Sequence, residues 1–437
     1  MDFQFSFANA RVEEKMLEGI EHSLADYSKL IKAVVDASNY EAPEASLIPP
    51  QDKAHLEMVN KLAEQKVSGK LKFVLVVGIG GSNLGTVAIY EALFGNEYNF
   101  TRSGKPRLLF LDTTAPKKAL TMLNILENEL TTSDELIINV ISKSGGTTET
   151  VAGLEFIFTK LKYKFADIQE RVVFTTDENS KLWQVGQQKG ISLLSIPKMV
   201  GGRYSVLSAV GLFPLMLAGV DVEALLAGAL EMRDNCLDGK LTENYAMLSA
   251  GITYHYWAEH VRISNSFFFN PEMESAGKWY RQLMGESIGK SHNLDGEEVH
   301  AGITPIVTIG STDLHSMAQL YFGGPRDKLT TIIYSSQTQI KTDLPRELEF
   351  AGLVDGIAGK DFAKIMDAIV GGVKAAYLKN ELPFMEVGFS EITARTVGAF
   401  LQFKMLEEMY LARLLNVNAF DQPNVEDYKL ETKKLLA

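Results

Sequence analysis

The chain has 437 residues, of which 46% are hydrophobic, and a formal net charge of −12 at pH 7. This length predicts two or three domains, or one large α/β body with extensions, and the acidic balance argues against broad nucleic-acid binding, which needs a basic face. Cys236 is the only cysteine, so an intrachain disulfide and a cysteine-based zinc site are excluded.

Membrane spans and export signals both require long apolar stretches in the sequence. The N-terminal residues show no basic start followed by a long apolar stretch, so no signal peptide is predicted. The longest apolar runs, such as 206–220, are short and contain Ser, Gly and Pro, which argues against a membrane span. We therefore expect a cytoplasmic protein that associates with neither membrane nor nucleic acid.

The first half of the chain alternates between helical and strand patterns. Apolar residues at helical spacing predict two helices before the first predicted strand. Alternation of strand and helix then predicts a parallel sheet with helices on both faces. The predicted helices cover 11–36, 51–66, 117–129, 149–162 and 181–189, and the predicted strands cover 71–77, 107–112, 135–141, 171–176 and 191–196.

The second half predicts another α/β unit that is less regular than the first. Residues 205–260 have a mainly helical pattern, and strand-like runs return after them. The polar final stretch, 420–437, is expected to end as a helix. The predicted strands are 266–269, 306–309, 329–334 and 348–352, and long helices are predicted over 361–380 and 392–415.

A segment rich in hydroxyls and glycines, 142–149, stands between a predicted buried strand and a predicted helix. Glycines let backbone N–H groups approach a phosphate, and a helix N-terminus favours an anion. Ser142, Ser144 and Thr147 would add hydrogen bonds, and Lys143 would add a positive charge. This pattern predicts a phosphate-binding loop; the alternative is an ordinary turn with a Ser/Thr cap.

Two further glycine-containing segments are candidates for substrate contact. The glycine spacing in 78–85 does not fit a dinucleotide fingerprint, which leaves a tight turn whose backbone and Ser82 face a sugar or phosphate, or a purely structural turn. Arg203 follows Gly201 and Gly202, and a guanidinium presented this way suits an oxyanion or a phosphate. A structural ion pair is the alternative for Arg203.

Three titratable residues complete the candidates. Glu286 lies beside two glycines at the end of an apolar helical run, where it could act as a general base or be a solvated surface residue. His315 follows a predicted strand and is expected to begin a helix; it is a site candidate or a satisfied interior histidine. Lys429 alone resembles an ordinary helix lysine. No arrangement of residues predicts a metal site.

These segments, taken in order from 78 to 429, resemble the phosphoglucose isomerase family. The resemblance implies an α/β fold with two SIS-type three-layer αβα domains that have parallel sheets, N-terminal helices and a C-terminal helical extension. The site would lie between the two domains. It also implies a homodimer with shared active sites, in which the neighbouring subunit contributes the histidine. The implied limits are 1–67 for the N-terminal helical segment, 68–197 for the first SIS domain, 198–260 for a helical connection, 261–415 for the second SIS domain and 416–437 for the C-terminal segment.

The resemblance also implies roles for individual residues. Glu286 would move a proton between C2 and C1 of the sugar, and Arg203 would stabilise the enediolate. His315 and Lys429 would open the ring, with Glu149 orienting His315. The remaining substrate contacts would come from Gly81, Ser82, Ser142, Lys143, Ser144, Thr147, Gly202, Gln282 and Gln422.

The implied activity is reversible isomerisation of glucose 6-phosphate and fructose 6-phosphate, in glycolysis and gluconeogenesis. Neither ring opening nor proton transfer needs a metal or a redox cofactor, so none is expected. A broader isomerase that also accepts mannose 6-phosphate and a non-catalytic sugar-phosphate sensor remain alternatives. A sensor would need the phosphate loop but not Glu286, Arg203, His315 and Lys429.

Three positions depart from the family pattern. Asn424 stands where glycine is usual, and asparagine tolerates a left-handed backbone well among residues with a side chain. Lys198 occupies a position where an acidic or small polar residue is commoner, and Gly146 replaces a frequent threonine. None of these departures removes an expected catalytic group, although Lys198 changes the local electrostatics beside Arg203.

Overall fold

The computed structural model describes residues 2–100, 104–237, 241–336 and 340–436. The chain divides into two compact units, one formed by Ser28–Arg233 and the other by Met1–Tyr27 together with Asp234–Ala437. Each unit contains a five-stranded sheet. The expectation of two α/β parts with parallel sheets is confirmed, with one antiparallel strand added in the second sheet.

Strands and helices are numbered here in chain order. The strands are β1 (Phe3–Ser6), β2 (Phe73–Val77), β3 (Arg107–Leu111), β4 (Leu136–Ile141), β5 (Val172–Thr176), β6 (Ser192–Ser195), β7 (Ile263–Phe268), β8 (Lys290–His292), β9 (Glu298–Ala301), β10 (Thr304–Ile309), β11 (Lys328–Ser335) and β12 (Phe384–Phe389). The α-helices are α1 (Glu14–Asp36), α2 (Lys53–Lys66), α3 (Leu84–Phe94), α4 (Pro116–Glu129), α5 (Thr148–Lys164), α6 (Lys181–Lys189), α7 (Ala209–Leu217), α8 (Val222–Leu237), α9 (Tyr245–Ala258), α10 (Glu274–Ile288), α11 (Ala318–Gly323), α12 (Phe362–Lys379), α13 (Ala394–Leu414) and α14 (Glu426–Leu436).

The sheet of the 28–233 unit has the strand order β3-β2-β4-β5-β6, with every pair parallel. Its central strands β2 and β4 are buried along their whole length, which is why all their residues except Asn139 are branched or aromatic apolar ones. Asn139 Nδ2 donates to Thr175 Oγ1 at 2.9 Å. Helix α5 packs closely on this sheet, because a Cβ on Gly153 would lie 3.2 Å from Val77 Cγ1. The direction in which strands are added reverses between β2 and β4, where α/β sheets commonly hold ligands.

The sheet of the other unit has the order β1-β12-β11-β7-β10. Four of its strands are parallel, and β1 pairs antiparallel with β12 at one edge. Successive residues of β7 serve opposite faces: Phe267 packs with Val370 of α12, whereas the Phe268 ring meets the Phe400 ring of α13 at 6.2 Å. The sheet is therefore covered by helices on both sides.

Two details of the predicted strands need correction. Residues 348–352 lie in turns and are largely exposed, so the strand predicted there is wrong. The sheet instead uses β12, whose Glu386 and Gly388 weaken its strand pattern, and β1, which precedes the first predicted helix. The other predicted strands are confirmed within a few residues.

Crossing a bilayer as a helix requires about 20 consecutive, mainly apolar residues. Within the described ranges, no helix combines the length and the apolar character that crossing a bilayer requires.

Candidate active site

The loop between β4 and α5 is built around a pair of hydroxyls. Ser142 is buried, and its Oγ lies 2.9 Å from Oγ1 of Thr147. Thr147 is the N-cap residue of α5, but its side chain makes no capping hydrogen bond. The loop turns through Gly145, which has a φ of +69° that suits glycine. The first N–H groups of a 17-residue helix thus begin beside exposed Ser144 and half-buried Thr147, an arrangement that suits an anion.

The Lys143 side chain is directed to main-chain oxygens of a later segment of the chain. Its Nζ donates hydrogen bonds to the main-chain oxygens of Lys198 at 2.6 Å and Val200 at 2.8 Å. Burial lowers the pKa of Lys143, and the nearby Asp177 carboxylate opposes that shift. Lys143 therefore anchors the segment just before the Gly201-Gly202-Arg203 turn.

Asp177 directly follows β5 and lies beside the Lys143 loop, although no motif in the sequence marks it as a candidate. Its N–H donates to the oxygen of Lys143 at 3.3 Å, and its Oδ1 is buried with no hydrogen-bond partner among the described residues. Burial raises the pKa of Asp177 to about 6, against the opposing charges of Lys143 and Lys198. Its position at the carboxyl end of a parallel strand was the available signal.

The turns that carry Gly81 and Arg203 touch each other. A Cβ on Gly81 would lie 2.2 Å from the carbonyl carbon of Gly202, so this approach requires glycine. Ser205 Oγ donates to Gly202 O at 2.7 Å and holds the second turn. Arg203 is only 3% exposed, with its guanidinium carbon 5.5 Å from the centre of the Tyr204 ring. The structure thus brings Gly81, Gly202 and Arg203 together within the 28–233 unit.

Glu286 and Gln282 form a pair on α10. Gln282 Nε2 donates to Glu286 Oε1 at 3.0 Å, as the four-residue helical spacing allows. Gln282 Oε1 is buried and has no hydrogen-bond partner among the described residues. An oriented carboxylate beside an unsatisfied acceptor is an arrangement that a hydroxylated ligand would complete.

The remaining predicted residues lie on separate elements. His315 ends a 3-10 turn, Thr312–His315, rather than beginning an α-helix, and its side chain is exposed. Lys429 lies in α14 and pairs with Glu426 at 2.7 Å. Gln422 is exposed just before α14, Glu149 is half-buried in the first turn of α5, and Ser82 is half-buried after β2.

Metal sites in proteins are commonly built from clusters of His, Cys, Asp and Glu side chains. In the ranges that the structure covers, no cluster of three or more could hold a metal ion. Cys236 is buried, and burial raises the pKa of its thiol to about 12, so it has the character of a packing residue rather than a nucleophile.

Comparison with known proteins relates these features to a family. The family model for phosphoglucose isomerase matches residues 32–436. The chain belongs to the phosphoglucose isomerase family. It is 36% identical over 400 residues to glucose-6-phosphate isomerase of Carboxydothermus hydrogenoformans, covering 89% of this chain and 83% of that protein. It is 32% identical to the glucose-6-phosphate isomerase of Methanocaldococcus jannaschii, covering 95% of this chain and 96% of the relative.

A solved structure extends the likeness to the whole chain. The crystal structure of a hypothetical protein from Thermus thermophilus superposes with a TM-score of 0.84 at 28% identity and covers 100% of both chains. The phosphoglucose isomerase resemblance predicted from the ordered motifs is therefore confirmed.

Proposed function

We propose that this member of the phosphoglucose isomerase family interconverts D-glucose 6-phosphate and D-fructose 6-phosphate as an aldose–ketose isomerase. Family membership and the names of its relatives support this substrate pair. The observation that carries the chemistry is the Gln282–Glu286 pair, because it presents an oriented carboxylate beside an unsatisfied acceptor. A sensor of sugar phosphates would have no use for a base oriented in this way.

The phosphate group is assigned to the start of α5. Ser142, Ser144 and Thr147 supply hydroxyls there, and the uncapped helix N-terminus supplies N–H donors and a favourable dipole. Lys143 acts in this proposal by holding the segment 198–200 and by adding positive charge near the anion. Gly81, Ser82 and Gly202 would form the adjoining wall against the sugar.

Ring opening is assigned to His315 and Lys429. One group removes the proton of the C1 hydroxyl of glucose 6-phosphate and the other returns a proton to the ring oxygen as the C1–O5 bond breaks, so the total proton count is unchanged. Glu149 would orient His315, and Gln422 would bind a hydroxyl of the sugar. The product of this step is the open-chain aldehyde.

Isomerisation is assigned to Glu286 and Arg203. The Glu286 carboxylate removes the proton on C2, and negative charge develops on the oxygen at C1 of the enediolate. The permanently charged guanidinium of Arg203 stabilises that oxygen. A proton then moves from the oxygen at C2 to the oxygen at C1, Glu286 returns its proton to C1, and the oxygen at C2 becomes the ketone of fructose 6-phosphate.

The Glu286→Gln substitution tests the base directly. It keeps the shape and the helix but removes the proton acceptor, so we expect kcat to fall by at least about a thousandfold while KM changes little. The control is Glu274→Gln on the first turn of the same helix, where the carboxylate pairs with Lys278. An equal loss of binding and rate in the Glu286 variant would remove it from the role of base.

The first assay would quantify products formed from fructose 6-phosphate by the purified protein, with chelator present and no nicotinamide cofactor. Formation of glucose 6-phosphate alone supports the proposal. Mannose 6-phosphate in the same sample would indicate the broader isomerase. No product from folded protein that still binds the sugar phosphate would indicate the sensor.

We also propose a homodimer in which His315 serves the site of the neighbouring subunit. The exposed position of His315 supports this arrangement, because a partner chain could reach it.

A further inference from the structure

A buried lysine outside the expected catalytic set contacts Glu286 and the residue that precedes Gln422. Lys290 is the first residue of β8, and its side chain is only 4% exposed. It follows Glu286 by four positions, just beyond the end of α10. Lysine is rarely buried to this extent without partners, because removing its charge from water is costly.

Lys290 has hydrogen-bond partners on two segments that are far apart in the sequence. Its Nζ donates to the main-chain oxygen of Glu286 at 2.6 Å and to the main-chain oxygen of Asp421 at 2.7 Å. The Asp421 carboxylate lies 3.3 Å from the same nitrogen. Glu286 O is one of the last carbonyl groups of α10, where a cation is favoured by the helix dipole.

These contacts join two parts of the proposed site within one unit. Glu286 carries the proposed base, and Asp421 directly precedes Gln422, although Lys290 and Asp421 are 131 positions apart in the sequence. The segment 421–424 is exposed, so its side chains offer little packing to hold it. One ammonium group therefore supplies a buried anchor between the base and this segment.

We propose that Lys290 is a positioning residue that fixes the Asp421–Gln422 segment relative to Glu286. The proposal rests on the proposed isomerase function. A charged hydrogen bond to each of two carbonyl oxygens sets the separation of the two main-chain segments. Small displacements of groups that act on a transition state cost rate more than they cost binding. Lys290 thus governs the chemical step without contacting the reacting atoms.

The test uses Lys290→Met, which keeps an apolar stem of similar length and removes the ammonium. We expect kcat to fall about 10- to 100-fold, with KM for fructose 6-phosphate changing less than about threefold. Lys290→Arg should recover part of kcat, because a guanidinium can still donate to carbonyl oxygens. Lys278→Met, on the exposed face of the same helix, is the control and should leave kcat unchanged.

Inhibitors give a second readout that loss of stability alone would not produce. A phosphorylated carboxylate that mimics the enediolate should bind Lys290→Met at least about tenfold more weakly, whereas inorganic phosphate should bind as it does to the wild type. Thermal melting establishes that the variant is folded at the assay temperature. Unchanged kcat and unchanged inhibitor affinity would overturn the proposal, as would equal weakening of phosphate and inhibitor.

Asp421→Asn decides the matter if Lys290→Met does not fold. Its side chain is 49% exposed, so the fold should tolerate the change, which removes the negative charge beside Lys290 and also alters the hydrogen bond that Asn418 Nδ2 donates to Asp421 Oδ2 at 3.0 Å. We expect kcat to fall about three- to tenfold at unchanged KM; an unchanged kcat would contradict the positioning role. A wild-type protein without isomerase activity would instead refute the proposed function, before any variant is compared.

Discussion

At the candidate site, the sequence identifies individual residues but does not determine where their side chains are directed. The hydroxyls, the lysine and the glycines of the 142–149 loop could all be identified from their order between a strand and a helix. The direction of the Lys143 side chain could not, because a flexible four-carbon stem gives its charge a wide reach. Its contacts with Lys198 and Val200 depend on where a segment more than fifty residues later returns.

Asp177 provides a residue-scale prediction for pH dependence. Its pKa rises to about 6 on folding because burial disfavours the charged form. Because its pKa is raised on folding, the protonated Asp177 carboxyl contributes to stability. That contribution is fully present below the ordinary pKa of about 3.8 and is lost as the pH rises through about 6. Asp177→Asn should therefore be more stable than the wild type at pH 8, by about 1 kcal/mol after allowance for solvent screening.

Calorimetric melting of both proteins from pH 4 to pH 8 measures this effect. The advantage of the asparagine variant should shrink steadily as the pH falls and should vanish near pH 4. A constant difference across the range would show that the Asp177 carboxyl does not change its pKa on folding.

At the scale of elements, two helices that follow parallel strands, α5 in one unit and α12 in the other, begin differently. Helix α5 follows β4 and begins without a side-chain cap. Helix α12 follows β11 and is capped by Asp361, whose Oδ1 accepts from Ala363 N at 2.8 Å. A carboxylate already occupies the N-terminus of α12 and would repel a second anion. Of these two helix N-termini, the one at α5 is therefore the better suited to a phosphate.

Helix α13 carries a buried ion pair that can be tested against an exposed one. Lys404 Nζ lies 2.8 Å from Glu407 Oε2, with both side chains 2% exposed, and Tyr280 also donates to that carboxylate. Lys404→Met should destabilise the protein by about 3–5 kcal/mol, because it leaves a buried carboxylate without its cation. Lys434→Met breaks the pair with Glu431 in α14, which has the same spacing but is exposed.

Thermal melting of the two variants provides the comparison. The Lys434 variant should melt with the wild type, because exposed ion pairs contribute little. If the Lys404 variant also melts with the wild type, the buried ion pair has no role in stability.

Elements were predictable where burial gave them a continuous pattern. Strands β2 and β4 are apolar except at Asn139, because they are buried along their length, and they were identified from that pattern. Strand β12 was missed because Glu386 and Gly388 interrupt the pattern, although Glu386 pairs with Lys374 and Tyr334. Its place in the sheet is fixed by tertiary contacts that local sequence does not encode.

At the scale of the whole molecule, the catalytic assignments can be tested by mixing subunits. His315→Ala and Glu286→Gln should each be inactive alone. If His315 serves the neighbouring subunit, a mixed dimer contains one site with both residues intact and one with neither. Co-expression in equal amounts should then restore about one quarter of wild-type activity, since half of the dimers are mixed and each has one intact site.

Activity of co-expressed and separately purified variants is the measurement, with the oligomeric state determined by light scattering. A wild-type chain that is monomeric in solution, or mixed dimers without activity, would contradict the assignment of His315 to the partner. Restoration well above one quarter would point to exchange or recombination and is checked by mass spectrometry of the chains.

The position of β1 has a consequence for how the protein is made. Phe3 pairs with Phe389, so β1 joins a strand that is synthesised long after it. At about 5–20 residues per second, the emerging Phe3–Ser6 segment waits on the order of 20–80 s for its partner, exposed to chaperones and proteases. Meanwhile the 28–233 unit, which is continuous in sequence, has everything it needs to fold during translation. Synthesis thus imposes an order on assembly, and a slow stretch of codons between the two strands would prolong the interval in which β1 lacks its partner.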